Sequence, residues 1–84
     1  MAARFFEDST VDFVYIDGDH SEDGVRADLA GWWPKLRQGG IIAGDDYGDP
    51  RFLGLAAAWD TWGHGMLFHE NGPGKEGLVW LIKN

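Results

Sequence analysis

Eighty-four residues, 44% hydrophobic and 25% charged, suffice for one globular domain or a piece of one. Fourteen acidic residues against seven basic ones give a formal charge of −7, which repels nucleic-acid phosphates and anionic lipid. With no cysteine, disulfides and thiolate metal sites are excluded, and no apolar run approaches the ~20 residues that cross a bilayer. The first nine residues lack a signal-like apolar stretch, so a soluble cytoplasmic protein is expected.

Val11 to Ile16, nearly all β-branched or aromatic, reads as a strand buried on both faces, as in a parallel sheet. It ends in Asp17-Gly18-Asp19-His20. Ser21 follows as a helix N-cap, with Glu22 and Asp23 in the first turn where the helix dipole favours negative charge. Val25, Leu29, Trp32 and Leu36 form one apolar helical stripe; Pro34 kinks the last turn and Gly39-Gly40 ends it. Ile41 to Gly44 is a second strand, again ending in acid, Asp45-Asp46-Tyr47. Asp49-Pro50 reads as the start of a second helix, with Phe52, Leu55, Ala56 and Trp59 as its buried stripe. Met66 to His69 and Leu78 to Ile82 then form an antiparallel hairpin around a loop over residues 71–77. The expected order is β-α-β-α-β-β, one domain over residues 1–84. The first two strands are parallel neighbours, and helices lie on both sides of an open sheet.

Both parallel strands finish in carboxylates, Asp17 and Asp19 after the first, Asp45 and Asp46 after the second. Ligands of open α/β sheets bind outside the carboxyl ends of the strands, and neighbouring strands lie under ~5 Å apart. Carboxylates so gathered repel unless protonated or bridged, and an oxygen-only cluster suits a hard divalent ion such as Mg²⁺. The plain alternative is a set of solvated acids that cap helices. His20, at the mouth of this region, is either a general base with a pKa near neutral or a polar residue before the cap. His64 and His69 show no partner pattern, and the five tryptophans sit at core-like spacings. Gly39-Gly40 lacks the residues of a phosphate loop.

The run VDFVYIDGDHSEDGVRADLAGWWPKLRQGGIIAGDDYGD resembles the second half of a class I S-adenosylmethionine-dependent methyltransferase, of the metal-dependent O-methyltransferase or macrocin-type branch. The resemblance is close from Val11 to Asp49. It implies half of a Rossmann-like methyltransferase fold, a parallel pair plus a C-terminal antiparallel hairpin. It also implies that Asp17, Asp45 and Asp46 hold a divalent ion, and that His20 stands where the catechol-type enzymes carry a lysine base. Asp19 is left to orient Ser21 or its loop. The family's Gly-rich cofactor loop has no counterpart before Val11, since residues 1–10 contain no glycine. S-adenosylmethionine is thus expected only if the missing half is supplied, and the chain is expected to be inactive alone.

The bare, apolar first strand invites edge pairing, giving a homodimer seamed by Phe5 and Phe6, or a complex with an N-terminal half. Two other classes fit in part. One is a non-catalytic metal-binding or interaction module. The other resembles a haloacid dehalogenase-type phosphohydrolase, which needs Asp17 as nucleophile, Asp19 as acid/base and a lysine nearby, with Asp45 and Asp49 in its later Gly-Asp-x-x-x-Asp motif; a single helix between its acidic motifs argues against it.

Overall fold

In a computed structural model, the described residues are 6–70 and 77–84. The elements are β1 (Val11–Ile16), α1 (Glu22–Trp32), a 3-10 turn (Trp33–Lys35), β2 (Leu36–Tyr47), α2 (Leu53–Asp60), β3 (Met66–Glu70) and β4 (Gly77–Ile82). They build one sheet in the order β1-β2-β4-β3, with β1 parallel to β2 and β4 antiparallel to both its neighbours. The expected α/β order, parallel pair and C-terminal hairpin are therefore present.

Both helices lie on the same face, which corrects the expectation of helices on two sides. The reason is topological. β4 runs opposite to β2 and β3, so β2 and β3 share a direction, and β2-α2-β3 is a parallel crossover like β1-α1-β2. Both crossovers move the same way across the sheet, and right-handed connections then deliver both helices to one side. On that side Val14, Ile16, Ile42, Val79 and Leu81 pack beneath Val25 and Leu29 of α1 and Leu55, Ala58 and Trp59 of α2. The alternate strand positions face away, and Phe13, Tyr15, Met66, Phe68 and Leu78 are exposed there.

Three boundaries differ from the sequence reading. Helix α1 stops at Trp32, because Pro34 forces a 3-10 turn, and the fully buried Leu36 opens β2. Gly39-Gly40 therefore sits inside β2, not at a helix end. Val11 is opposite Leu36 while Phe13 is opposite Ile41, so β2 bulges between them, and Gly39 takes the left-handed φ of 84° that such a bulge demands. Helix α2 begins at Leu53, with no side-chain cap. Its buried face is Leu55, Ala58 and Trp59, while Phe52 and Ala56 are half-buried.

β1 forms one edge of the sheet. Phe6 rests on Trp32, with ring centroids 5.4 Å apart; Phe5 and residues 71–76 of the hairpin connection lie outside the described residues.

Candidate functional site

The loop after β1 is held by its own side chains. Ser21 caps α1 by accepting the Gly24 N–H at 3.0 Å, and Asp19 accepts the Ser21 N–H at 2.8 Å. The Ser21 backbone N–H first, and its hydroxyl second, hold the Asp19 carboxyl below the usual carboxylate range. Asp19 lies so close over Gly24 that an added Cβ there would stand 2.5 Å from Asp19 Cβ and Cγ. The chain then turns His20 inward, its ring stacked on Phe52 with centroids 4.4 Å apart. Its Nε2 meets Asp46 Oδ2 at 2.7 Å.

The end of β2 and the loop after it are organised differently. Asp46 adopts a left-handed φ of 61°, uncommon for a residue other than glycine, and its carbonyl accepts the Asp49 N–H at 3.1 Å. Asp49 is 3% exposed and accepts from Arg51, including 2.7 Å to the guanidinium and 2.9 Å from the backbone N–H. Those bonds, the guanidinium's foremost, keep its carboxyl well below the usual range. The same guanidinium lies over the Phe52 ring at 5.1 Å, so a continuous stack runs from Asp49 through Arg51 and Phe52 to His20.

Across these two loops, one donor atom from each of His20, Asp45 and Asp46 falls within 4.8 Å of the others. All three side chains are half-buried. Desolvation first, then the neighbouring Asp45 carboxylate, raise the Tyr15 pKa above the ordinary tyrosine value. Of the carboxylates expected on a cation, Asp45 and Asp46 come together, joined by His20. Asp17 is exposed at the mouth, outside that trio but near enough to contribute to the Tyr15 shift. Asp19 serves the helix cap, and Asp49 is committed to Arg51. A cavity of about 10 Å³, room for a single water, lies beneath the trio between Ile16, Gly44 and Trp59.

Sequence reasoning did not find the His20–Phe52 stack, the Arg51–Asp49 pair or Tyr15 beside Asp45. The Asp49-Pro50-Arg51 run was a signal, since a carboxylate two residues before an arginine also closes a local turn. His64 lies far from this site in the chain fold, against Trp33 and Trp62, and His69 lies by Tyr47 at 5.0 Å between centroids.

The profile of a family described as a methyltransferase domain matches residues 1–47. A crystal structure of a protein from Corynebacterium glutamicum superposes with a TM-score of 0.73 at 15% identity, over 98% of this chain and 43% of that one. The likeness is one of fold, and the sheet is that of a partial Rossmann-like methyltransferase domain. This chain therefore spans less than half the length of that neighbour. No curated protein matches it in sequence. Among the described residues, no helix is long and apolar enough to cross a membrane.

Proposed function

The chain belongs to a methyltransferase-domain family, and from that premise we propose that it forms the acceptor end of a metal-assisted, S-adenosylmethionine-dependent O-methyltransferase site. The observation that carries the reading is the meeting of His20, Asp45 and Asp46 at the carboxyl ends of two parallel strands.

Two carboxylates and an imidazole within 4.8 Å fit a divalent cation. Asp45 and the free oxygen of Asp46 would hold it, with Asp17 at the mouth as a further carboxylate. When bound, the cation lowers the pKa of an acceptor hydroxyl. His20 supplies the base. With its Nε2–H donated to Asp46, the neutral ring carries its lone pair on Nδ1, and the Phe52 stack holds the ring in place. Asp46 thus orients the ring.

S-adenosylmethionine does not fit among the described residues. The cavity at the trio takes one water, and the broader concavity, on the open face of the sheet, is lined by apolar side chains and Tyr15. No charged group there would meet a methionine carboxylate. The cofactor wall therefore comes from polypeptide beyond these residues, in keeping with a chain that spans 43% of its structural neighbour. Alone, the chain is a cation-binding methyltransferase-like module without turnover.

Calorimetric titration with S-adenosylmethionine, with and without Mg²⁺ or Mn²⁺, tests this on protein of known solution mass. Cation binding that His20→Ala preserves and Asp45→Asn removes supports the assignment. Loss on His20→Ala instead makes the imidazole a third ligand and removes it as the base. A chain that binds no cation, or one that methylates unaided, overturns the proposal.

A further inference from the structure

Two aspartate–glycine steps lie close together in the chain, and the fold holds them in different ways. Asp17-Gly18 follows β1, beyond its last paired residues, Ile16 and Gly44. Both residues are exposed and belong to neither strand nor helix. Asp23-Gly24 stands in the first turn of α1, where the Gly24 N–H donates to Ser21 Oγ at 3.0 Å. Asp19 closes over Gly24 there, its Cβ and Cγ 2.5 Å from the position of an added Cβ.

The carboxyl of an aspartate can be attacked by the amide nitrogen of the residue that follows it. Glycine permits the attack best, because no Cβ crowds that nitrogen. The backbone must also be free to swing the nitrogen onto Cγ. Helical dihedrals at Asp23 aim the nitrogen away from its carboxyl, and the bond to Ser21 engages its proton. After β1 the chain has left the ladder and has not yet entered α1, so Asp17-Gly18 carries neither of those restraints.

We propose that Asp17-Gly18 is a site of spontaneous isomerisation to isoaspartate, and that α1 protects Asp23-Gly24 from the same change. The step balances with water alone. A bond forms between the Gly18 nitrogen and Asp17 Cγ, the C–OH bond of the protonated carboxyl breaks, and the hydroxyl leaves with the amide proton as water. The product is a succinimide. Water then cleaves one of its two C–N bonds. Cleavage at Cγ restores aspartate, whereas cleavage at the main-chain carbonyl routes the chain through the side chain. The second product inserts a methylene into the backbone between β1 and the Ser21 cap and leaves the free carboxylate on Cα. The loop at the mouth of the site thus ages chemically. The reaction is internal to that loop, so it depends neither on the methyltransferase assignment nor on what covers the sheet.

The 84-residue chain is incubated at neutral pH and then digested with trypsin, which releases one peptide, Phe5 to Arg26, carrying both steps. Electron-transfer fragmentation distinguishes isoaspartate at 17 from isoaspartate at 23. It should accumulate at 17 several-fold faster than at 23, through an intermediate lighter by one water. In urea, which dissolves α1, the two positions should react alike. Gly18→Ala should slow the change at 17 several-fold. Gly18 has no left-handed φ, and an added Cβ would stand 3.5 Å from Asp28 Oδ2, an ordinary contact, so that variant keeps the fold. Asp17→Glu, whose carboxyl must close a larger ring, is a second variant and should slow it likewise. No isoaspartate at 17, equal rates at 17 and 23 in the folded chain, a preference for 17 that persists in urea, or a rate unchanged in both variants overturns the proposal.

Discussion

The two loops that follow the parallel strands look alike in sequence and are built in opposite ways. After β1 the order is Asp17, Asp19, His20, and from the last residues of β2 onward it is Asp45, Asp46, Asp49. In the first loop the last acid, Asp19, is exposed and serves a helix cap through backbone N–H groups. In the second the last acid, Asp49, is buried and bound to a guanidinium that lies on the Phe52 ring. One loop is fixed by local hydrogen bonds and a close approach to α1. The other is fixed by an ion pair and a stack of flat groups. Each leaves a different residue for chemistry: His20 comes from the first, and Asp45 with Asp46 from the second. An acid near a strand end therefore says little by itself; what its carboxylate is already bound to decides whether it can take a ligand.

The difference can be broken most strongly at Gly24. Glycine-to-alanine in a helix ordinarily stabilises by about 1 kcal/mol. Here the new methyl would stand 2.5 Å from Asp19 Cβ and Cγ, atoms that cannot swing aside without moving the loop. Gly24→Ala should destabilise the chain by about 1–3 kcal/mol in a urea melt, the scale of overpacking, and shift the loop that carries His20. A neutral or stabilising result would show the first loop to be loose. In the second loop Phe52→Ala should cost about 1.5 kcal/mol, because it removes a half-buried ring that contacts both His20 and Arg51. His20 should then lose its fixed orientation, seen as averaging of its ring proton shifts by NMR. Ser21→Ala comes next, at about 1 kcal/mol for a lost N-cap. It has no counterpart in α2, whose first turn has no side-chain cap.

These contacts also mark how far the sequence alone could be read. Strand β1 and the Ser21 cap are legible because they are local: an apolar run, then a hydroxyl before acids. The meeting of the two acidic ends followed from parallel pairing alone. The His20–Asp46 contact joins residues 26 apart and depends on the register of β1 against β2, which no local pattern encodes. Leu36 reads as helix from the sequence because it stands four residues after Trp32, a spacing that a buried strand residue can match by chance; Pro34 carries the better signal. Asp49 has the residue type of an N-cap, and only burial beside Arg51 gives it another task. Placing the helices on two sides ignored the direction of the second crossover, which becomes visible once β4 is known to insert between β2 and β3.

Acid titration offers the finest separation of the two loops. Asp19 and Asp49 both have carboxyls held below the ordinary value of 3.8, by Ser21 and Arg51 respectively. For a depressed carboxyl the stabilisation is complete above the unfolded value and is lost as pH falls through the folded one, so both loops should weaken below about pH 4. Ser21→Ala should remove only the hydroxyl's share of the loss due to Asp19, because its backbone N–H still donates, whereas Arg51→Ala should remove the larger share of the loss due to Asp49. Asp28, on α1 near the first loop, is shifted the other way: desolvation, then the charge of Asp19, raise its carboxyl. A raised carboxyl favours the folded state when protonated, so its penalty grows as pH rises through 3.8 and persists at neutrality. Asp28→Asn removes the penalty without changing shape. Because Asp28 is only partly shielded from water, the gain should be about 0.3 kcal/mol at pH 7 and should vanish near pH 3. Paired melts of the variant and the parent chain at those two pH values measure it. A gain equal at both would mean that packing, and not the Asp19 charge in the first loop, sets the cost of Asp28.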